Sequence, residues 1–317
     1  MKRSISNLNF AFSISDQYIH YVSVTIKSTI ENHRGIEKNI YVLSDVVSER
    51  SRKLLDEVVN GDECTHLKII IVDDTPLRGL NGNWSIYTWY RLLLPQYLPD
   101  NVHKVLYLDA DVIVLENLVD LFSIDMEGIA VAGCVDPESF NEQTFLRCKY
   151  GMGKMYICAG VLLMNLDYWR DKKLSEKHIQ YGHNNNDWLK FADQDTINIL
   201  CCDSKIVLPL RYGIMDFFFE KDRFYHEPYK QQLYDCIKRP AIVHYAGRNP
   251  WKRELATTVM QDEWDKYNRM LKHPVKKEYV TKGWMLFKLF IWKVVHLKRQ
   301  SDRLTKEKIL RKFEETQ

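Results

Sequence analysis

Short apolar, β-branched runs alternate along this chain with longer amphipathic stretches. Leu8–Ser13, Asn39–Leu43 and Leu67–Val72 predict three strands. Between them the spacing predicts two helices. One is capped by Asp16 and runs to about Asn32 with Tyr18, Val22, Thr25, Ile26 and Thr29 on one face, and the other covers Ser48–Val59. Asp73-Asp74-Thr75-Pro76 ends the third strand, because proline has no amide hydrogen to continue a ladder. Trp84–Leu94 predicts a helix carrying Arg91, and Lys104–Leu115 a fourth strand with its continuation. Alternation of this kind implies an α/β class with a parallel sheet covered by helices on both faces. Further on the pattern is mixed: strands at Ile129–Val135, Tyr156–Asn165 and Ala241–His244, a helix at Leu166–Gln180, a loop at Gly182–Asp187, and a loop entering a helix at Ala192–Asn198. Gly160 interrupts an apolar run and signals a close backbone approach.

Length and composition refine this picture. At 317 residues and 45% hydrophobic content the chain can bury a large core. The division expected is a catalytic body over residues 1–275 and a small appendage over 276–317. The appendage holds twelve Lys or Arg against five Asp or Glu, so it is strongly basic while the body is mildly acidic. Its aromatic run, Trp284 to Trp292, is broken by lysines and predicts a helix lying on an anionic membrane surface, not a bilayer span and not a nucleic-acid site. Seven scattered cysteines without zinc spacing read as reduced thiols. With no apolar leader after Met1-Lys2-Arg3, the expected location is cytoplasmic, peripheral on the inner face of the cell membrane.

The candidate chemistry centres on Asp109 and Asp111, two carboxylates between apolar runs with only Ala110 between them. At the carboxyl end of a strand they can share a divalent cation, and the bland reading is a solvated polar turn. His244 ends an apolar strand beside Gly247; with the two aspartates it completes a donor set suited to Mn2+ or a similar ion such as Mg2+. Asp193-Gln194 reads either as a helix cap or as a site pair. Gly151-Met152-Gly153-Lys154 lacks the spacing of a phosphate loop, and Cys201-Cys202 reads as core packing.

Together these stretches resemble glycosyltransferase family 8, retaining enzymes of the GT-A fold. Leu106-Tyr107-Leu108-Asp109-Ala110-Asp111 resembles the family's metal motif, and Cys158-Ala159-Gly160-Val161-Leu162-Leu163-Met164-Asn165 its N-A-G-V-L-L-x-N strand. Asp193-Gln194-Asp195 is similar to its D-Q-D, and His244-Tyr245-Ala246-Gly247 to its H-F/Y-x-G. The resemblance implies a Rossmann-like, mainly parallel mixed sheet flanked by helices. It also implies transfer of a hexose, glucose or galactose, from a UDP-sugar to a glycan or lipid-linked acceptor in lipopolysaccharide or exopolysaccharide assembly. Asp109, Asp111 and His244 would hold the metal on the diphosphate. Asp193 would hold donor-sugar hydroxyls, Gln194 would face the anomeric carbon, and Asp136 would line the acceptor side. Ser13, Ile14, Gln17 and Tyr18 lie in the turn that grips uridine, Arg91 reaches the donor, and Ala110, Ala159, Gly160 and Gly247 line the same site.

Two departures bear on the site. Cys158 stands where the family has asparagine, and Gly247-Arg248-Asn249-Pro250-Trp251 is one residue shorter than the usual ending and lacks its diphosphate lysine. Arg248 can supply that charge, since a guanidinium grips phosphate oxygens in pairs. Paired aspartates also suit a metal-dependent nucleotidyltransferase or sugar-nucleotide hydrolase, and the non-enzymatic reading is a membrane-surface adaptor.

Overall fold

The computed structural model describes residues 7–80, 84–148, 154–215, 218, 229–247, 249–253 and 260–279. Arg248 and residues 280–317, which hold most of the basic, aromatic tail, lie outside them. In chain order the first half holds β1 (Leu8–Ser13), α1 (Ile19–Glu31), β2 (Lys38–Ser44), α2 (Glu49–Val59), β3 (Thr65–Ile71), α3 (Leu94–Tyr97), β4 (Lys104–Leu108), β5 (Val112–Val114) and α4 (Val119–Phe122). The second holds β6 (Val131–Val135), α5 (Glu142–Cys148), β7 (Ile157–Asn165), α6 (Leu166–Asp171), α7 (Leu174–Asn185), α8 (Ala192–Leu200) and β8 (Lys205–Leu208). It closes with β9 (Ile214–Met215), α9 (Tyr229–Lys238), β10 (Ile242–His244), β11 (Lys252–Arg253), α10 (Gln261–Arg269) and β12 (Glu278–Tyr279).

Seven strands form the central sheet in the order β3-β2-β1-β4-β7-β6-β8. Its neighbours run parallel except at β7, which is antiparallel to both β4 and β6. The mixed, mainly parallel sheet flanked by helices is therefore present. Two apolar clusters cover it, one built on Phe10, Val22, Leu106 and Trp264, the other on Tyr41, Trp89, Tyr107 and Trp169. A second sheet, β5-β10-β9, sits beside the carboxyl end of β4.

Several local expectations change. Asp16 lies in a short 3-10 turn and does not cap α1; its carboxylate instead accepts the amide and hydroxyl of Ser48, and Ser48 caps α2. Buried positions occupy most of α1, because it is packed against α2, α10 and β5, and Tyr18 is left exposed. The Trp84–Leu94 segment is a 3-10 helix over Ile86–Leu93, not an α-helix. The expected helix over Leu166–Gln180 is two, separated at Lys173, whose φ is 51°. Gly182 does not open a loop but sits inside α7, where an added Cβ would lie 2.8 Å from the Trp89 ring. That glycine serves close packing. Strand pairing of β11 with β12 ties residues 276–279, the start of the basic tail, to the body, and the Tyr21 hydroxyl donates to Glu278.

His33 locks α1 to the segment beyond β5. Its Nδ1 bonds Thr29 O at 2.6 Å, and its Nε2 accepts the Leu118 amide at 2.9 Å, so the ring is held in one neutral tautomer. Burial pushes its pKa down from 6.5 to about 4. The unfolded chain then binds the proton more tightly, so this contribution to stability is complete above about pH 6.5 and declines as pH falls toward 4. His33→Gln, whose amide can both donate to Thr29 and accept from Leu118, should lose about 2 kcal/mol less than the native chain between pH 7.5 and pH 5. Chemical denaturation at the two pH values checks this, and equal losses would refute it.

Candidate active site

The site is assembled where strands of both sheets meet. After Leu108 the chain leaves the central sheet in a tight turn, Asp109–Asp111, and enters the second sheet as β5, so the expected continuation of one strand is a crossing between two sheets. The two carboxylates converge from that turn, not from an extended segment. Antiparallel pairing of β10 with β5 sets His244 opposite Val112, and the Tyr245 amide donates to Asp111 O at 2.8 Å. As a result His244 Nε2 lies 3.4 Å from Asp111 and 3.9 Å from Asp109. One ligand atom from each of the three residues falls within 4.8 Å of the others, and two hard oxygens with one imidazole fit a divalent ion such as Mn2+.

β7 has nine residues against five in β4, so its first residues overshoot the carboxyl edge of β4 and form a wall beside these ligands. The Asp109 amide donates to Gly160 O on that overhang at 2.9 Å. An added Cβ at Gly160 would lie 2.2 Å from His244 Cε1 and 2.7 Å from Asp109 Oδ2, which explains the glycine. Backbone groups of the overhang are satisfied by α8. Gln194 Oε1 accepts the Ala159 amide at 2.8 Å, and Asn198, one turn later, pairs with both the amide and the carbonyl of Ile157. Asp195 anchors the entry to α8 by accepting the Lys190 and Phe191 amides.

Charge is balanced within this wall. Arg91 is buried, with its guanidinium between Asp109, at 3.2 Å, and Asp193, at 2.9 Å, and over the Tyr107 ring. Its Nη1 donates to Ala159 O and its Nε to Thr88 O. The Tyr107 hydroxyl donates to Asp109 at 2.8 Å. Asp193 is pushed up to about 7, first by burial and then by Asp109, against the pull of Arg91. Its Oδ2 is buried against Arg91 Nε in that ion pair, while the Nε hydrogen itself is directed to the Thr88 carbonyl. Burial alone would push His244 down, but Cys158 and Asp111 beside it raise it well above the usual imidazole range. Burial raises Asp136 to about 6, although it accepts the Glu138 amide and the Gln194 side chain.

All these groups open on one cleft of about 430 Å³. Arg91, Asp109, Asp111, Asp136, Cys158, Ala159, Gly160, Asp193, Gln194, His244 and Gly247 all line it, as the sequence led us to expect. Ala110 packs toward the core, its carbonyl taken by the Thr25 hydroxyl. Ser13 ends β1 and Ile14 follows it, and the parallel register of β1 with β4 puts them at the same sheet edge, while Gln17 lines a separate cleft with Arg50, Lys53 and Lys272. Trp84, Phe191 and Met215 also line the cleft and were not anticipated as site residues. Tyr107, two residues before Asp109, was not anticipated either; it reaches the site through its hydroxyl bond to Asp109.

The sequence model of glycosyl transferase family 8 matches residues 9–255. The lipopolysaccharide 1,2-glucosyltransferase of Escherichia coli K12 is 27% identical over 254 residues, covering 78% of this chain and 73% of that protein. The lipopolysaccharide 1,3-galactosyltransferase of Salmonella typhimurium is 24% identical over 272 residues, covering 80% and 75%. The solved galactosyltransferase LgtC, in complex with donor and acceptor sugar analogs, superposes with a TM-score of 0.74 at 26% identity, covering 84% of this chain and 96% of that one.

Gly160 offers a clean test of the cation site. Gly160→Ala should lower the melting temperature by several degrees, because its Cβ must push aside the buried His244 ring and the Asp109 carboxylate. It should lower Mn2+ affinity at least about tenfold by moving those ligands apart. Calorimetric titration with Mn2+ checks this; unchanged affinity would show that the ion does not sit among these residues.

Proposed function

The chain belongs to glycosyltransferase family 8, and from that membership we propose that it transfers glucose or galactose from a UDP-sugar to a glycan or lipid-linked acceptor in cell-surface polysaccharide biosynthesis, with retention at the anomeric carbon. The observation that carries this reading is the placement of the Asp109-Asp111-His244 cluster in one cleft with the buried, Arg91-paired carboxylate of Asp193. A cation site and a buried acceptor for a hydroxyl, side by side, match the two ends of a nucleotide sugar. Relatives that carry glucosyltransferase and galactosyltransferase names support the choice of hexose.

Asp109, Asp111 and His244 would hold Mn2+ or Mg2+, which supplies a Lewis acid for the negative charge gathering on the departing UDP. Asp193 takes a donor-sugar hydroxyl at Oδ2. Arg91 neutralises Asp193 and Asp109 and so keeps both carboxylates in a dry wall. Gln194 is an amide whose carbonyl oxygen is already engaged by the Ala159 amide, which makes it a poor nucleophile. Front-face attack by the acceptor hydroxyl therefore fits better than a covalent intermediate. Asp136 faces the acceptor side and Cys158, Ala159, Gly160 and Gly247 wall the donor side. Ser13, Ile14 and Tyr18 belong to the nucleotide end, and Arg248 to the diphosphate.

Incubation with UDP-glucose or UDP-galactose and Mn2+ should release UDP, and with a suitable acceptor should give an α-linked product by proton NMR. Asp111→Ala should reduce kcat/KM by about a thousandfold while the fold is kept, given the several kcal/mol a Lewis acid contributes. Near-native activity of that variant at subsaturating Mn2+ would refute the assignment. The basic tail is proposed to hold the body at an anionic membrane surface. Truncation after Tyr279 keeps the β11–β12 pairing and should abolish salt-sensitive binding to anionic vesicles while sparing UDP-sugar hydrolysis. Undiminished vesicle binding by the truncated chain would exclude the tail as anchor.

A further inference from the structure

His244 turns Nε2 toward Asp111 and Asp109, so the contact made by its other ring nitrogen decides how firmly the imidazole is held. That nitrogen, Nδ1, faces the Sγ of Cys158 at 3.5 Å. Cys158 lies two residues before Gly160 on β7, so it leaves the strand on the face that the Gly160 side chain would have filled. The His244 ring thus lies over the β7 overhang, close to Gly160 and against the sulfur.

Metal-binding histidines ordinarily give their second ring N–H to a carboxylate, a carbonyl or water. Sulfur is a weaker acceptor than any of these. Resting on the cation site proposed above, we propose that Cys158 is a positioning residue for His244: its sulfur receives the Nδ1 hydrogen, leaves Nε2 free for the cation, and holds the ring more loosely than an oxygen at this position would. Cys158 therefore sets the cation affinity of the site without itself being a ligand. An asparagine here carries its carbonyl oxygen farther from Cβ than cysteine carries its sulfur, and it would close the gap to an ordinary N–H···O bond.

Mn2+ binding, followed by the loss of the free-ion electron paramagnetic resonance signal with no sugar donor present, tests this. Cys158→Ala should weaken binding about tenfold, and Cys158→Asn should bind as tightly as the native chain or more tightly. Cys158→Ala at native affinity, or Cys158→Asn as weak as Cys158→Ala, would overturn the proposal. If the alanine variant melts early, the asparagine variant against the native chain still decides: tighter or equal binding supports the role and weaker binding overturns it. Asp111→Ala, measured alongside, separates the two levels. If it too binds Mn2+ at native affinity, the cation site itself is wrong; if it alone loses binding, the site stands and the role of Cys158 falls.

Discussion

Three carboxylates, those of Asp109, Asp111 and Asp193, share one partly dry cleft, and the buried guanidinium of Arg91 is what makes that arrangement tenable. A charged group removed from water needs a partner of opposite sign and satisfied hydrogen bonds. Arg91 meets both needs, since it sits between two of the carboxylates while donating to the Thr88 and Ala159 carbonyls and covering the Tyr107 ring. His244 serves Asp111 in the same way, its Nε2 lying 3.4 Å from that carboxylate. The rest of the cleft is arranged around this balance.

Strand lengths and registers do the arranging. Because β7 outruns β4, four of its residues carry backbone groups past the sheet edge, and α8 answers them with Gln194 and Asn198. The same overhang supplies Ala159 O to Arg91 and Gly160 O to the Asp109 amide. One misfit in the ladder thereby positions Asp109, Arg91 and Gln194 around the cleft. Gly160 is small because two ligands pass over it, and Cys158 lies against one of them.

Asp193 and Asp136 show how the environment separates chemically identical groups. Burial raises both, yet Asp193 is paired with a guanidinium, whereas Asp136 caps the turn after β6 and holds the Gln194 amide. The first balances a buried cation of the chain and the second orients a neighbouring side chain. GT-A architecture sets such groups at the carboxyl ends of its strands, where backbone ladders stop and side chains take over the hydrogen bonding.

Much of this was legible in the chain itself. Continuous apolar runs gave the strands of the central sheet as far as β7, because a sheet covered on both faces buries nearly every position of its inner strands. The order of the Asp109-Ala110-Asp111, Asp193-Gln194 and His244 motifs gave the family and most of the cleft. What the sequence lacked was direction and distance. It could not show that β4 and β5 belong to different sheets, that Gly182 packs inside a helix, or that Asp16 serves a neighbouring helix and not its own. It placed Arg91 toward a ligand without revealing that two carboxylates of the chain already hold it. Those outcomes are decided by contacts between residues tens to more than a hundred positions apart, whose energies exceed local propensity, and only the folded chain brings such residues within reach of one another.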